Sequence, residues 1–279
     1  MSKSRIHKQP DLLLILGTAT DACRAAGAML CSKRRSSAFT VMKRDRHDVK
    51  LTADRDAERA VIRALRSRRP MDGIIAEERG ADRKVCNGVW IVDPLDGTVN
   101  YSHGHPHFCV SIAWAWQSDV IVSAVYDPLR NEMFTAIKGR GAWCNGKKIR
   151  TSTETVPIRS LLTVGFGKTD AGDAEHTTFR ELLESFQRVR LSGSAALDLA
   201  YVACGRLDGY VESRVYLWDI AAGMLLVEEA GGRALSWKRS LPYHYACVAS
   251  NAPLSQSLLK KVSMEPADNA RTGIDDISG

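Results

Sequence analysis

The segment Trp90–Thr98, which reads Trp-Ile-Val-Asp-Pro-Leu-Asp-Gly-Thr, constrains the fold of this chain more than any other stretch. Its apolar first half predicts a short strand buried within a sheet. Asp93 and Asp96 follow, so the strand delivers two carboxylates to its own end. Gly97 and Thr98 then predict the start of a helix, whose backbone N–H groups offer a cradle for phosphate. The segment therefore predicts a buried sheet with a charged site at its edge.

The two aspartates of this segment, with the Leu95 carbonyl between them, offer the oxygen ligands that Mg²⁺ prefers. A structural explanation also exists, since Asp-Pro and Asp-Gly are common turn dipeptides and Asp96 could cap a helix. We favour a metal site because two acids flank the end of one buried strand and Gly-Thr follows them.

Acids also stand at two other predicted strand ends. Glu77 and Glu78 follow the apolar run 73–76, and Asp219 follows Trp218 at the start of an Ala-rich segment. Taken alone, a Glu-Glu pair is usually on the surface, and Asp219 would simply cap a helix. Together, acids at three strand-to-loop exits predict a metal site bridged by carboxylates.

The order of predicted elements is typical of a layered α/β or α+β sandwich. The polar stretch 33–54 predicts a hairpin or long loop. Helices are predicted at 11–32, 56–68, 194–204 and 219–230, and strands at 73–76, 88–92, 108–116, 119–126 and 132–137. We expect an N-terminal lobe at 1–157 with most of the acids, a C-terminal lobe at 158–263, and a disordered tail at 264–279.

Charge and composition narrow the function classes. The net charge is +7, but the Lys and Arg residues are scattered, so we expect a solvated basic surface and no nucleic-acid partner. The seven cysteines include no C-x-x-C pair, which indicates free thiols in a reducing compartment. The apolar run 12–16 is too short for a membrane span or signal peptide and is interpreted as the first turn of a helix. We therefore expect a cytoplasmic protein without a membrane contact.

These motifs resemble the inositol monophosphatase family, within the larger group that includes fructose-1,6-bisphosphatases and bisphosphate nucleotidases. The two family signatures match Trp90–Tyr101 and Trp218–Gly223, and shorter pieces match 51–54, 76–78 and 193–196. The resemblance covers roughly residues 11–262. It implies an αβαβα layered sandwich, a phosphoric monoester hydrolase and a homodimer.

The resemblance also implies the metal ligands. Glu77, Asp93 and the Leu95 carbonyl would hold a first Mg²⁺, which activates water. Asp93, Asp96 and Asp219 would hold a second, which stabilises the leaving oxygen. A third, weaker ion could sit on Glu77 and waters, so two to three ions are expected per site.

The remaining roles implied by the resemblance concern catalysis and substrate. Asp54 and Thr98 would pair to orient the attacking water, and with Glu77 they form the catalytic set. The positions that match substrate contacts in the family are Lys43, Asp96, Gly97, Thr98, Ala195 and Glu212. The implied reaction is hydrolysis of a small polyol phosphate, inositol monophosphate first among them, by in-line attack of metal-activated water, with inhibition by lithium.

Two alternatives stay open at this point. One is a phosphatase for fructose 1,6-bisphosphate or NADP, and the other is a non-catalytic binding or RNA-associated member of the family. A degenerate member would be expected to lack at least one acid, whereas all of the matching acids are present. Val99 follows Thr98 where bisphosphate nucleotidases and histidinol-phosphate phosphatases usually carry Lys, which argues against both.

Two further clusters are left without a role. In the loop 43–48, Arg44 or Arg46 could attract a second anionic group of a substrate, although a solvated loop is the simpler interpretation. His103, His105 and His107 alternate after the motif and could bind a transition metal, although rim and strand positions in a loop are the simpler interpretation.

Overall fold

The computed structural model describes residues 10–36, 38–44, 49–82, 88–166 and 173–262. Its helices are α1 (Leu12–Ser36), α2 (Thr52–Arg68), α3 (Thr98–Ser102), α4 (Asp173–Ser185), α5 (Ala195–Ala203), α6 (Leu217–Glu229) and α7 (Ser255–Lys261), with a 3-10 turn at Pro157–Arg159. Its strands are β1 (Val41–Arg44), β2 (Val49–Leu51), β3 (Gly73–Ala76), β4 (Gly80–Asp82), β5 (Val89–Asp96), β6 (Cys109–Trp116), β7 (Asp119–Asp127), β8 (Glu132–Ile137), β9 (Ala142–Cys144), β10 (Lys147–Lys148), β11 (Leu161–Gly165), β12 (Arg188–Arg190), β13 (Gly209–Tyr216), β14 (Gly232–Lys238) and β15 (His244–Asn251).

The strands form two large sheets and one hairpin. The eight-stranded sheet has the order β10-β9-β8-β7-β6-β5-β3-β4, and the five-stranded sheet has the order β12-β11-β13-β15-β14. Helices α1 and α2 pack on one face of the larger sheet, and α5 and α6 lie between the two sheets. Helices α4 and α7 cover the outer face of the smaller sheet. The predicted αβαβα layered sandwich is confirmed.

Strand β5 lies inside the larger sheet, with helices on both sides. Trp90 and Val92 pack into the core under α1 and α2, and Ile91 packs into the core shared with α5 and α6. A strand covered on both faces must be apolar at every position, which explains its continuous apolar sequence. Its parallel neighbour is β3, and its antiparallel neighbour is β6.

Helix α1 buries one stripe of small and aliphatic side chains, namely Ile15, Ala19, Ala22, Cys23, Ala26 and Leu30. It runs to Ser36, beyond the predicted end at residue 32, and Lys33, Arg34 and Arg35 occupy its last turn. Cations at this end of a helix are stabilised by the exposed carbonyl groups, so the polar run does not end the helix. By length and composition α1 alone among the described helices could cross a membrane, but it packs against α2, β6 and β7.

Several predicted boundaries are wrong by a few residues. The helix predicted from residue 56 begins at Thr52, which places Asp54 in its first turn. The strand predicted to end at residue 92 continues to Asp96, and the helix predicted from Asp219 begins at Leu217. The polar stretch 33–54 does contain the predicted hairpin, formed by β1 and β2. The predicted tail, and Arg46 with the tip of its loop, lie outside the described residues.

Helices α5 and α6 approach each other closely, and Gly223 makes this possible. A Cβ at this glycine would lie 2.5 Å from Leu199 Cβ on α5. The second signature motif therefore contains a packing glycine one turn after Asp219, and the close contact fixes α6 against α5 in the layer between the sheets. The predicted division into two lobes would fall between β10 and β11, and it stays a prediction.

Candidate active site

Three aspartates converge where β5 ends and α6 begins. Asp93 and Asp96 lie on β5, and Asp219 is the third residue of α6. One carboxylate oxygen from each lies within 4.8 Å of the others. Residues three apart in a regular strand point to opposite faces, but the β5–β6 register shifts between Asp93 and Asp96. This irregularity accounts for both carboxylates reaching one point.

Each of these three carboxylates has one oxygen held by a neutral donor. Asp93 Oδ1 accepts the Leu95 N–H at 2.9 Å, and Asp219 Oδ2 accepts the Tyr216 N–H at 3.0 Å. Asp96 Oδ2 accepts the Ser194 hydroxyl at 2.6 Å. These bonds fix the orientation of each carboxylate without neutralising its charge. Asp219 therefore closes the first turn of its helix, as the structural interpretation predicted, and also belongs to the acidic cluster.

Glu77 joins this cluster from the neighbouring strand. It follows β3, whose parallel pairing with β5 places Ala76 beside Val92, and it lines the same cavity as the aspartates. Its predicted partner Glu78 instead bonds Lys50 at 3.0 Å. The sequence therefore predicted the right strand end, and the fold separates the two glutamates.

The charges of the cluster fit a divalent cation. Burial raises the pKa of Asp93 well above its usual range, and the charges of Glu77, Asp96 and Asp219 raise it further. The pKa of Asp96 is also raised by burial, although its hydrogen bonds to Ser194 and Ala196 oppose this. Buried carboxylates that repel one another and offer only oxygen ligands suit a hard cation such as Mg²⁺.

Asp54 and Thr98 lie side by side next to this cluster, as predicted. Thr98 Oγ1 is 3.4 Å from Asp54 Oδ1 and 3.0 Å from the Leu95 carbonyl oxygen. The other Asp54 oxygen accepts the Leu51 N–H at 2.6 Å, and this hydrogen bond stabilises the N-terminus of α2. Burial raises the pKa of Asp54 to about 7. The Leu95 carbonyl keeps a second lone pair, so its bond to Thr98 leaves it able to bind a cation.

A cavity of about 320 Å³ opens beside these acids and is lined from both halves of the chain. Its volume suits a small molecule. The predicted substrate contacts that line it are Asp96, Gly97, Thr98, Ala195 and Glu212. Lys43 lies on the exposed strand β1 and is not among the lining residues. Gly97 has a φ of 91°, and a Cβ there would lie 2.9 Å from the His107 carbonyl oxygen, so only glycine fits.

The cavity lining also contains two residues that the sequence did not single out, Tyr210 and Gly165. Tyr210 Oη donates to Glu212 Oε2 at 2.5 Å. Gly165 faces Glu212 across the β11–β13 pairing, and a Cβ at Gly165 would overlap the Glu212 carboxylate. The period of a strand could have suggested Tyr210, because residues two apart share a face. Nothing in the sequence marks Gly165, which is 47 residues from Glu212.

The three alternating histidines do not share a site. His107 is buried, and its Nε2 lies 2.9 Å from Asp198 Oδ1. His103 is exposed and contacts Ser102 and the Val99 carbonyl, and His105 is also exposed. None of the three lies on a strand, and among the described residues they form no cluster that could hold a metal ion. Asp198 in turn accepts the Thr163 hydroxyl at 2.8 Å, which completes a buried polar network that reaches the cavity lining at Asp198.

Comparison with known proteins agrees with this site. Residues 11–266 match the model of the inositol monophosphatase family. The chain is 38% identical over 267 residues to an inositol-1-monophosphatase of Synechocystis sp., which covers 94% of this chain and 93% of the relative. It is 41% identical over 223 residues to the Nus factor SuhB of Xylella fastidiosa, covering 78% and 80% of the two chains. The inositol monophosphatase structure from Anabaena has a TM-score of 0.78 at 36% identity, covering 91% of this chain and 96% of that chain.

Proposed function

The chain belongs to the inositol monophosphatase family, and we propose that it is a Mg²⁺-dependent phosphatase that removes phosphate from a small polyol, with inositol monophosphate as the leading substrate. The observation that carries this proposal is the convergence of Asp93, Asp96 and Asp219 within 4.8 Å. Asp54, Glu77 and Thr98 complete the set that the family pattern requires. In a non-catalytic member of the family, buried acids that repel one another would cost stability without serving a reaction.

Each group near the cluster has a task in this reaction. Mg²⁺ bound by Glu77, the three aspartates and the Leu95 carbonyl would supply charge neutralisation for the phosphate and acidify the attacking water. The Asp54–Thr98 pair orients that water, because Thr98 Oγ1 lies between the Asp54 carboxylate and the Leu95 carbonyl. The Gly97 and Thr98 N–H groups hold the phosphate oxygens. The nucleophile in this proposal is water, so the reaction needs no nucleophilic side chain and forms no covalent phosphoenzyme.

The substrate end of the cavity favours hydroxyl groups. Glu212 accepts hydrogen bonds, and Tyr210 holds one of its oxygens. Ala195 begins α5 and lines the cavity on the same side. A polyol that offers several hydroxyl donors would satisfy such a wall, whereas a second phosphate would meet the negative charges of Glu212 and Asp198.

The test is phosphate release from inositol 1-phosphate with Mg²⁺, compared between the wild type and Asp93→Asn. Since Asp93 stands at the centre of the cluster, we expect kcat to fall by a factor of about 10³ or more. Asp119→Asn, which alters a surface acid paired with Lys138, is the matched control and should retain activity. Lithium should inhibit the wild type. Persistent activity in Asp93→Asn would refute the metal assignment.

The alternative substrates are fructose 1,6-bisphosphate and NADP, and Arg44 offers a way to test them. This residue lies on the exposed strand β1. If its charge attracts a second anionic group, then Arg44→Ala should lower kcat/KM for the bisphosphate by about tenfold relative to inositol 1-phosphate. An unchanged ratio would remove this role for Arg44. Adding Arg46→Ala extends the same comparison to the rest of the loop.

A second function, as a regulatory protein that binds RNA, is favoured by the similarity to a protein named Nus factor SuhB and by the net charge of +7. The two functions separate experimentally. Asp93→Asn should abolish phosphate release and leave any RNA binding intact. A cluster of negative charges repels the phosphates of RNA, so RNA would bind to another part of the surface. The family resemblance further supports a cytoplasmic homodimer, which gel filtration with light scattering would test.

A further inference from the structure

The start of α5 is joined to Asp96 by two hydrogen bonds. The Ser194 hydroxyl and the Ala196 N–H both donate to Asp96 Oδ2, at 2.6 Å and 2.8 Å. Ser194 is 2% exposed and Asp96 is 7% exposed, so neither bond competes with bulk water. The partners are 98 and 100 residues apart in sequence, so only the tertiary fold brings them together.

Asn100 holds the turn that carries Ser194. Its Nδ2 donates to the carbonyl oxygens of His107 and Ser192, each at 2.8 Å, and lies 3.3 Å from the Gly193 carbonyl oxygen. Gly193 has a φ of 79°, and a Cβ there would lie 3.2 Å from Asn100 Nδ2. One side chain on α3 therefore ties the loop before β6 to the turn before α5.

We propose that Ser194 is a positioning residue for the metal site. With the Ala196 amide it holds Oδ2 of Asp96, so that Oδ1 is presented to the cation in one orientation, and Asn100 keeps the turn in place. This inference rests on the proposed function, because it takes Asp96 as a metal ligand. Groups that orient a ligand in this way affect metal affinity although they never touch the metal.

The test measures metal affinity directly. Titration calorimetry of the full chain with Mg²⁺ and with Mn²⁺, without substrate, compares the wild type with Ser194→Ala. Loss of such an orienting bond is expected to weaken binding by about 10- to 100-fold. Ser194→Thr keeps the hydroxyl and should restore most of the affinity. Ser160→Ala is the matched control, because Ser160 is also a buried serine, its hydroxyl donates to the Val156 carbonyl at 2.9 Å, and it lies outside the cavity lining.

The outcomes separate the inference from the proposed function. If folded Ser194→Ala binds Mg²⁺ as tightly as the wild type, the positioning role is wrong and the proposed function stands. If the wild type itself binds neither cation, the metal assignment fails and the inference fails with it. Asn100→Ala should weaken binding in the same direction, and it serves as the second variant if Ser194→Ala does not fold. Equal loss of affinity in Ser160→Ala would also overturn the inference, since the effect would then be general destabilisation.

Discussion

Gly165 controls the position of the Glu212 carboxylate at the scale of a single residue. A Cβ at this position would overlap that carboxylate, so Gly165→Ala must push Glu212 out of its contact with Tyr210. Neither Gly165 nor Glu212 belongs to the cluster of Asp93, Asp96 and Asp219, so the geometry of that cluster should be unaffected. We expect KM for the polyol phosphate to rise by about tenfold, with kcat little changed. A change of this size corresponds to the loss of about one hydrogen bond between the substrate and a charged group. Steady-state kinetics at saturating Mg²⁺ would test this, and a fall in kcat alone would contradict it.

Glu228 is a half-buried acid outside the site, and it makes stability depend on pH. Burial raises its pKa to about 7, with Lys138 opposing the shift. The folded protein therefore keeps a proton that the unfolded chain loses near pH 4.5, and stability falls as pH rises from about 4.5 to 7. Glu228→Gln removes this loss. Allowing for partial solvent screening, we expect the variant to be more stable at pH 8 by about 1 kcal/mol, with little difference at pH 4.5.

Urea unfolding at the two pH values measures this difference. Glu184→Gln, which alters an acid exposed on α4, is the control and should change stability little at either pH. A Glu228→Gln variant that gains equally at both pH values would show that packing, and not charge, is responsible.

Two glycines within helix α1 should respond oppositely to the same substitution. Nothing lies within 4 Å of a Cβ at Gly17, whereas a Cβ at Gly27 would lie 2.7 Å from the Tyr126 ring and 3.1 Å from Pro128. Alanine lowers the entropy cost of forming a helix, so Gly17→Ala should stabilise the protein by about 0.5–1 kcal/mol. Gly27→Ala should destabilise it by about 1–3 kcal/mol, because α1 must move away from β7. Thermal unfolding of both variants tests the pair, and the same sign for both would contradict it.

The elements show which parts of the site can be predicted from sequence. Asp93 and Glu77 were predictable because each ends an apolar run, and a parallel pairing brings such ends together. The register shift that turns Asp96 toward Asp93 was not, since it depends on the pairing of β5 with β6. The start of α2 at Thr52 was missed because Asp54 closes its first turn through the Leu51 N–H, without a serine or threonine cap before it.

At the scale of the whole molecule, the larger sheet and the helical layer between the sheets meet at the acidic cluster. Asp93 and Asp96 come from the larger sheet. Asp219 lies on α6 in the helical layer between the sheets, and Ser194 directly precedes α5 of the same layer. Contacts such as Ser194 with Asp96 span about a hundred residues, and no local pattern in the sequence predicts them. A layered sandwich was predictable from the order of elements, and its αβαβα layering from the family resemblance, but these contacts follow only from the packing of α5 and α6.

This arrangement predicts that the acidic cluster lowers the free energy of unfolding when no cation is bound. Burial and the charges of Glu77, Asp96 and Asp219 all disfavour a charged Asp93. Asparagine has the same shape and can still accept the Leu95 N–H, so Asp93→Asn removes a repelling charge and keeps the local bond. In EDTA we expect Asp93→Asn to be more stable than the wild type by about 1 kcal/mol, as is common when a strained functional site is relieved.

Added Mg²⁺ should reverse this order. A cation that binds only the folded wild type stabilises it by about 2.7 kcal/mol at a hundred times its Kd, and Asp93→Asn should lose most of that gain. Thermal unfolding of both proteins in EDTA and in Mg²⁺ gives the four melting temperatures to be compared, with Asp119→Asn as the surface control. If Asp93→Asn were less stable than the wild type in EDTA, the hydrogen bonds of Asp93 would outweigh the repulsion. The acids would then serve the folded chain even without a cation, and their burial would no longer argue for one.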